Sequence, residues 1–227
     1  MTFEAYRYIT LLSSLPHLAA PEQYERPPIS RIQLEKRLEM LGAEDAALVR
    51  RLEALMVPDR LGAESDAWLL GEGRRLLEAL ESSCVKRWLA WWLALNVLTA
   101  ALRLRSRGAA TPGMLGEAPR LGHQLQRHWG HPTFRLEKRF PYMETLVDRV
   151  AEAEGQRLED ALLELGWRYF QRQRATYRYG LEEVLLYLFR WWLIERGCQR
   201  NPRLAQRRFM QLLAATPHLD SQPEPNP

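Results

Sequence analysis

Cysteine is nearly missing: the 227-residue chain has two, Cys84 and Cys198. That excludes a disulfide scaffold and any four-cysteine zinc site. Lysine is almost as scarce. Only Lys36, Lys86 and Lys138 stand among the 32 basic residues, so positive charge is carried by arginine. Arginine favours planar, two-pronged contact with carboxylates and phosphates. Alternating β-branched runs are few, which argues against a sheet. No Walker-type phosphate loop, His-Glu-x-x-His, Gly-x-Ser-x-Gly or Cys-x-x-Cys motif occurs. The expectation is a non-catalytic protein without cofactor or metal. Gly71-Glu72-Gly73 sits in a helical pattern with no strand before it, so it is no dinucleotide fingerprint. The amino terminus lacks a basic segment followed by an apolar core, which predicts a cytoplasmic protein without a secretory leader.

What remains is a balanced globular composition, 46% apolar and 26% charged, with helical periodicity almost throughout. Prolines at 16, 21, 27 and 28 predict an irregular start over residues 1–30. Ser30 followed by Gln33 fits a capping box, opening a helix whose apolar face ends at Gly42. Further helices are predicted over Glu44–Met56 and from about Ser65 to Leu80, the latter weakened by Gly71 and Gly73. The Gly- and Pro-rich stretch 106–119 is the best internal boundary. Beyond it, helices are predicted over Leu121–Trp129, Met143–Ala153, Gln156–Thr176, Leu181–Arg196 and Pro202–Ala214. The fold class is therefore all-α, as two packed helical halves. Residues 1–108 form the first, 109–119 a linker and 120–216 the second, and 217–227 a disordered tail.

The run Trp88–Leu102 has only Asn96 and Thr99 as polar side chains in 15 positions. A membrane-spanning helix needs roughly 20 apolar residues, and Lys86, Arg87, Arg103 and Arg105 bracket this run closely. A helix apolar all round and too short to span is a central core helix. A partner-binding face is the alternative for any part left uncovered. The motif Trp91-Trp92-Leu93 returns 100 residues later as Trp191-Trp192-Leu193, a pattern expected of a divergent internal duplication.

Charge is unevenly placed. Residues 168–208 hold ten arginines against three glutamates, while the whole chain carries only +4. Such asymmetry orients a protein on its partners. Arg196, Arg200, Arg203 and Arg207 step by four, three and four, which puts them on one face if the helix continues through Pro202. With Tyr177, Tyr179 and Tyr187 upstream, this stripe could meet an acidic protein surface or neutralise the phosphates of a nucleic acid. Trp191 and Trp192 point about 100° apart on a helix, so at least one belongs in the core and an exposed one would anchor a partner. His123, His128 and His131 do not share a face, since the first two lie about 140° apart, and no metal site is expected of them. Asp148, Glu152, Glu159 and Asp160 are expected on a solvated helix face.

Ser13-Ser14-Leu15-Pro16 and Pro27-Pro28-Ile29-Ser30 resemble the opening of a bacterial protein family encoded beside V/A-type ATPase genes. The helix Leu181-Glu182-Glu183-Val184-Leu185-Leu186-Tyr187-Leu188-Phe189-Arg190-Trp191-Trp192 is similar to that family's carboxyl-terminal helix. It also resembles the helix ending each repeat of the V/A-type ATPase socket protein, designated C in bacteria and archaea and d in eukaryotes. Leu95-Asn96-Val97-Leu98-Thr99-Ala100-Ala101-Leu102-Arg103 with Gly108 is similar to the asparagine-containing, arginine-ended helix of that socket protein. The resemblance implies an all-helical, non-catalytic socket between the central stalk and the membrane rotor ring, peripheral at the inner membrane. The socket protein has three repeats and this chain is long enough for two; Arg196 stands where the first copy has Asn96. A shortened socket, an assembly factor and a diverged regulator all fit. The resemblance implies that Arg196, Arg200, Arg203 and Arg207 contribute to the contact with the ATPase.

Overall fold

A computed structural model of the chain describes residues 3–57, 66–152, 154–176 and 179–200. Among these residues the secondary structure is nine α-helices with two short 3₁₀ turns and no strand. The all-α expectation holds. The predicted helix Pro202–Ala214, the tail from 217, and the side chains of Arg200, Arg203 and Arg207 lie outside the described residues.

The start of the chain departs from the irregular segment its prolines predict. Residues Phe3–Ser14 form helix α1, because the first proline comes only at position 16 and nothing before it breaks the backbone ladder. Leu11 of this helix is fully buried. The prolines act after it, where Pro21–Gln23 make a 3₁₀ turn. Helix α2 (Arg31–Leu38) opens as predicted, with the Ser30 hydroxyl accepting the Gln33 N–H at 3.3 Å. It stops four residues short of Gly42, which has an ordinary φ of −66° and opens helix α3 (Ala43–Met56) as its N-cap.

Helices α4 (Asp66–Ala79) and α5 (Ser83–Ser106) are consecutive and packed together. Ser82 caps α5 by accepting the Val85 N–H at 3.2 Å, and its own hydroxyl donates to Glu182 Oε1 at 2.6 Å. The glycines that weaken α4 as an isolated helix serve its packing. A Cβ on Gly73 would come within 2.8 Å of the Leu93 side chain. Residues 109–119 are packed and not a free linker. They contain a 3₁₀ turn at Gly113–Glu117, Leu115 and Ala118 are buried, and the Trp129 indole donates to the Ala109 carbonyl at 2.8 Å.

The remaining helices are α6 (Gly122–Arg127), α7 (Met143–Ala151), α8 (Gly155–Arg172) and α9 (Leu181–Arg200). Helix α8 ends four residues before its predicted limit, since Gln173 turns extended with ψ of 155°. The packed pair α8–α9 parallels α4–α5. Gly166 of α8 lies under Leu193 of α9, where a Cβ would meet that side chain at 3.1 Å. Each leucine of the repeated Trp-Trp-Leu motif thus rests on a glycine of the helix before it.

One apolar core runs from Leu11 to Cys198, so the two halves share it. Helix α9 is its hub. Val184, Leu185, Leu188, Phe189, Trp191 and Ile194 are fully buried, with α8 and α5 on one side and α1, α3 and the 3₁₀ turn at 21–23 on the other. Two polar ties fasten that amino-terminal cover. The Trp191 indole donates to the Ile29 carbonyl at 3.2 Å. The Arg31 guanidinium sits 5.0 Å from the Trp191 ring centroid and bridges Glu195 and Glu53, its Nε 2.9 Å from Glu195 Oε1.

Candidate docking groove

The residues singled out from the sequence are mostly internal. Trp191 and Trp192 are 0% and 3% exposed. This corrects their place among candidate contact residues, because neither ring reaches the surface of the chain. Their burial follows from the cover of residues 1–57 on α9, which periodicity alone does not show. Arg196 donates to Glu159 Oε2 at 2.9 Å, and Arg103 donates to Glu159 Oε1 at 3.0 Å. Periodicity puts Glu159 on a solvated face; its side chain is only 13% exposed and joins α5, α8 and α9 through two cations. Arg190 is likewise turned inward, donating to the Phe170 carbonyl at 2.8 Å. Much of the described arginine excess on α9 therefore holds helices together. Arg168, Arg172 and Arg174 remain exposed nearby.

The histidines are structural. His131 Nδ1 accepts the backbone N–H groups of Thr133 and Arg135, each at 3.3 Å, which closes the turn after α6. His128 is held below its ordinary pKa by desolvation and by the neighbouring positive charge of Arg135 and Arg127. Among the described residues no group of three or more histidine, cysteine or acidic side chains is placed to hold a metal ion. Nor is any helix there long and apolar enough to cross a membrane.

The open surface lies on α5. This helix buries Trp88, Leu89, Trp92, Leu95 and Leu98 in the core. Its opposite side, Ala90, Trp91, Leu93 and Ala94, is only half-buried and forms the floor of a groove of about 660 Å³. Leu70 and Leu77 of α4 form one wall, and residues 118–121 with Phe140 form the other. Trp91 is fixed in this floor by stacking on Tyr169, with ring centroids 3.8 Å apart and planes within 2°. The Tyr169 hydroxyl donates to the Arg87 carbonyl at 3.4 Å. Burial pushes the pKa of Tyr169 up to about 12, so the ring is neutral in ordinary buffers.

Five cations surround this apolar floor. Arg74 comes from α4, Lys86 and Arg87 from the start of α5, and Arg120 and Arg139 from the far wall; Glu78 is the one acidic lining residue. None of the five forms an ion pair among the described residues. The far wall is tightly built. A Cβ on Gly122 would lie 2.0 Å from the Gly116 carbonyl oxygen, so only glycine lets the chain fold back there. Arg120 is held at a φ of 64°, in the left-handed region, and its carbonyl accepts from Arg139 Nη1 at 3.3 Å. Arg139 in turn lies 5.1 Å over the Phe140 ring.

Sequence reasoning did not find this site because its cations come from four separate segments. The available signal was the apolar run of α5, wider than one core-facing stripe requires. No family model matches the chain, and no curated protein or solved structure is significantly similar to it.

Proposed function

We propose that the chain is a non-catalytic component associated with a V/A-type ATPase, acting like the C/d socket protein between central stalk and membrane rotor ring. The observation that carries this reading is the position of α9. The helix whose sequence resembles the repeat-ending helix of the socket protein is the hub of a single aromatic-rich core. Phe170 stacks on Phe189 with centroids 4.9 Å apart, and Trp88 and Trp192 meet Phe189 edge-on. Interiors packed this densely resist compression and transmit strain, which an element between a motor and a rotor requires. The buried Arg31 clamp and the Glu159 bridge tie distant segments across that core. A basic rim on an apolar groove adds a surface suited to charge-complementary partners.

The test is to tag the protein in its native host, solubilise membranes in mild detergent and identify what copurifies. Rotary ATPase subunits in stable proportion are the expected result. Their absence ends this reading, and nucleic acid that washes off with salt would replace it with the phosphate-binding alternative.

A further inference from the structure

The groove on α5 has a shape and charge pattern that select among occupants. Its floor follows α5 from Ser83 to Val97, a length of about 21 Å at the helical rise. That is an elongated trough, open along its side, with half-exposed Ala90, Leu93 and Ala94 beneath. Its cations stand on both walls and at the start of α5. A single-headed amphiphile carries charge at one end only and would leave most of this rim unmatched. A helix with an apolar stripe and acidic flanks presents charge on both sides along its length.

The molecule supplies a precedent in its own packing. The outer face of α9 is covered by helices α1 and α3, whereas no described helix covers the groove-facing side of α5. The chain's own residues 201–218 carry Arg203, Arg207 and Arg208 and no acidic residue, the wrong sign for a basic rim. We propose that the groove along α5 receives an acidic amphipathic helix of a partner polypeptide. Its apolar stripe lies on Ala90, Leu93 and Ala94, and its carboxylates face Arg87, Arg120 and Arg139. This rests on the reading of the chain as a docking component of an assembly and names the chemistry of what docks.

Fluorescence anisotropy on the full-length protein tests it. The probe is a fluorescein-labelled 18-residue peptide with leucines at helical i, i+3, i+4, i+7 spacing and glutamates elsewhere; a second carries lysines in place of the glutamates. The acidic peptide is expected to bind, more weakly as salt is raised, and the basic peptide to bind at least tenfold less tightly. Reversing three exposed cations together (R87E, R120E, R139E) should weaken the acidic peptide at least tenfold with an unchanged circular dichroism spectrum. Ala94→Asp, on the floor, should do the same, while Arg168→Glu on α8 should leave binding intact. Equal affinity for both peptides, or indifference to the triple reversal, would overturn the proposal. So would tighter capture of polyuridylate RNA or phosphatidylglycerol vesicles that the same reversal abolishes. If peptide binding fails while ATPase subunits still copurify, the groove is wrong and the assembly reading stands. Peptide binding without those subunits has the opposite meaning.

Discussion

The two packed helix pairs, α4–α5 and α8–α9, are built alike and finished differently. In each, a leucine of the Trp-Trp-Leu motif rests on a glycine of the preceding helix, Leu93 against Gly73 and Leu193 against Gly166. Around α9 the chain then adds α1, α3 and the Arg31 clamp, and Trp191 disappears into the core. Around α5 it adds α7 on one side and leaves Trp91 half-exposed at the floor of a groove. The same local sequence thus yields a hub in one pair and a surface in the other. What decides is whether another segment supplies a cover, a property of the whole chain.

The largest effects should come from the paired tryptophans. Trp191→Ala removes a fully buried ring and should cost about 4 kcal/mol, read by urea denaturation. Trp91→Ala should cost about half as much, since its ring is partly wet and held mainly by stacking on Tyr169. Equal losses would erase the distinction between hub and surface. Next comes the clamp. Arg31→Met takes the cation from between Glu195 and Glu53 and should cost about 3 kcal/mol, because buried carboxylates keep their charge without it. Burial alone would lower the pKa of Arg31, but its hydrogen bonds and charge contacts with Glu195 and Glu53 outweigh this and hold it above the ordinary value. Its charge is therefore present at every pH the fold meets.

The glycines sharpen the comparison further. Gly166→Ala presses a methyl group against Leu193 and Trp92, both buried, and should cost about 2 kcal/mol as overpacking. At Gly73 the obstacle is the tip of Leu93, which borders the groove and can turn aside. There the gain of about 1 kcal/mol in helix propensity should nearly cancel the strain. Smallest is an alkaline signature. Tyr169 should ionise near pH 12, seen at 295 nm and as quenching of Trp91. Because its folded pKa is raised, its contribution to stability is complete below the ordinary tyrosine value of about 10 and fades as pH climbs through about 12. A Tyr169 midpoint near 10 would mean that the stack is open to water.

Helices with strong local signals were legible in the sequence. The Ser30 cap, the apolar run of α5 and the run of α9 all stand where periodicity puts them. Helix α1 was not legible, since a proline-rich segment reads as irregular although its prolines begin only at position 16. Gly42 reads as a stop and is a start. Glu159 looks like one carboxylate on a wet face because its partners, Arg103 and Arg196, lie 56 and 37 residues away. The groove is hidden for the same reason, as Arg74, Arg87, Arg120 and Arg139 share no local pattern. Charge stripes read along one helix mark cations without telling which are already engaged.

The cover on α9 also fixes an order of events at the ribosome. Ile29 and Arg31 find their partners Trp191 and Glu195 only across separations of 162 and 164 residues. At a synthesis rate of about 5–20 residues per second, the apolar faces of α1 and α3 wait about 8–33 s for the helix they cover. During that interval the nascent amino-terminal segment is an exposed, sticky surface. A cell making this protein must shield it until the last helix emerges.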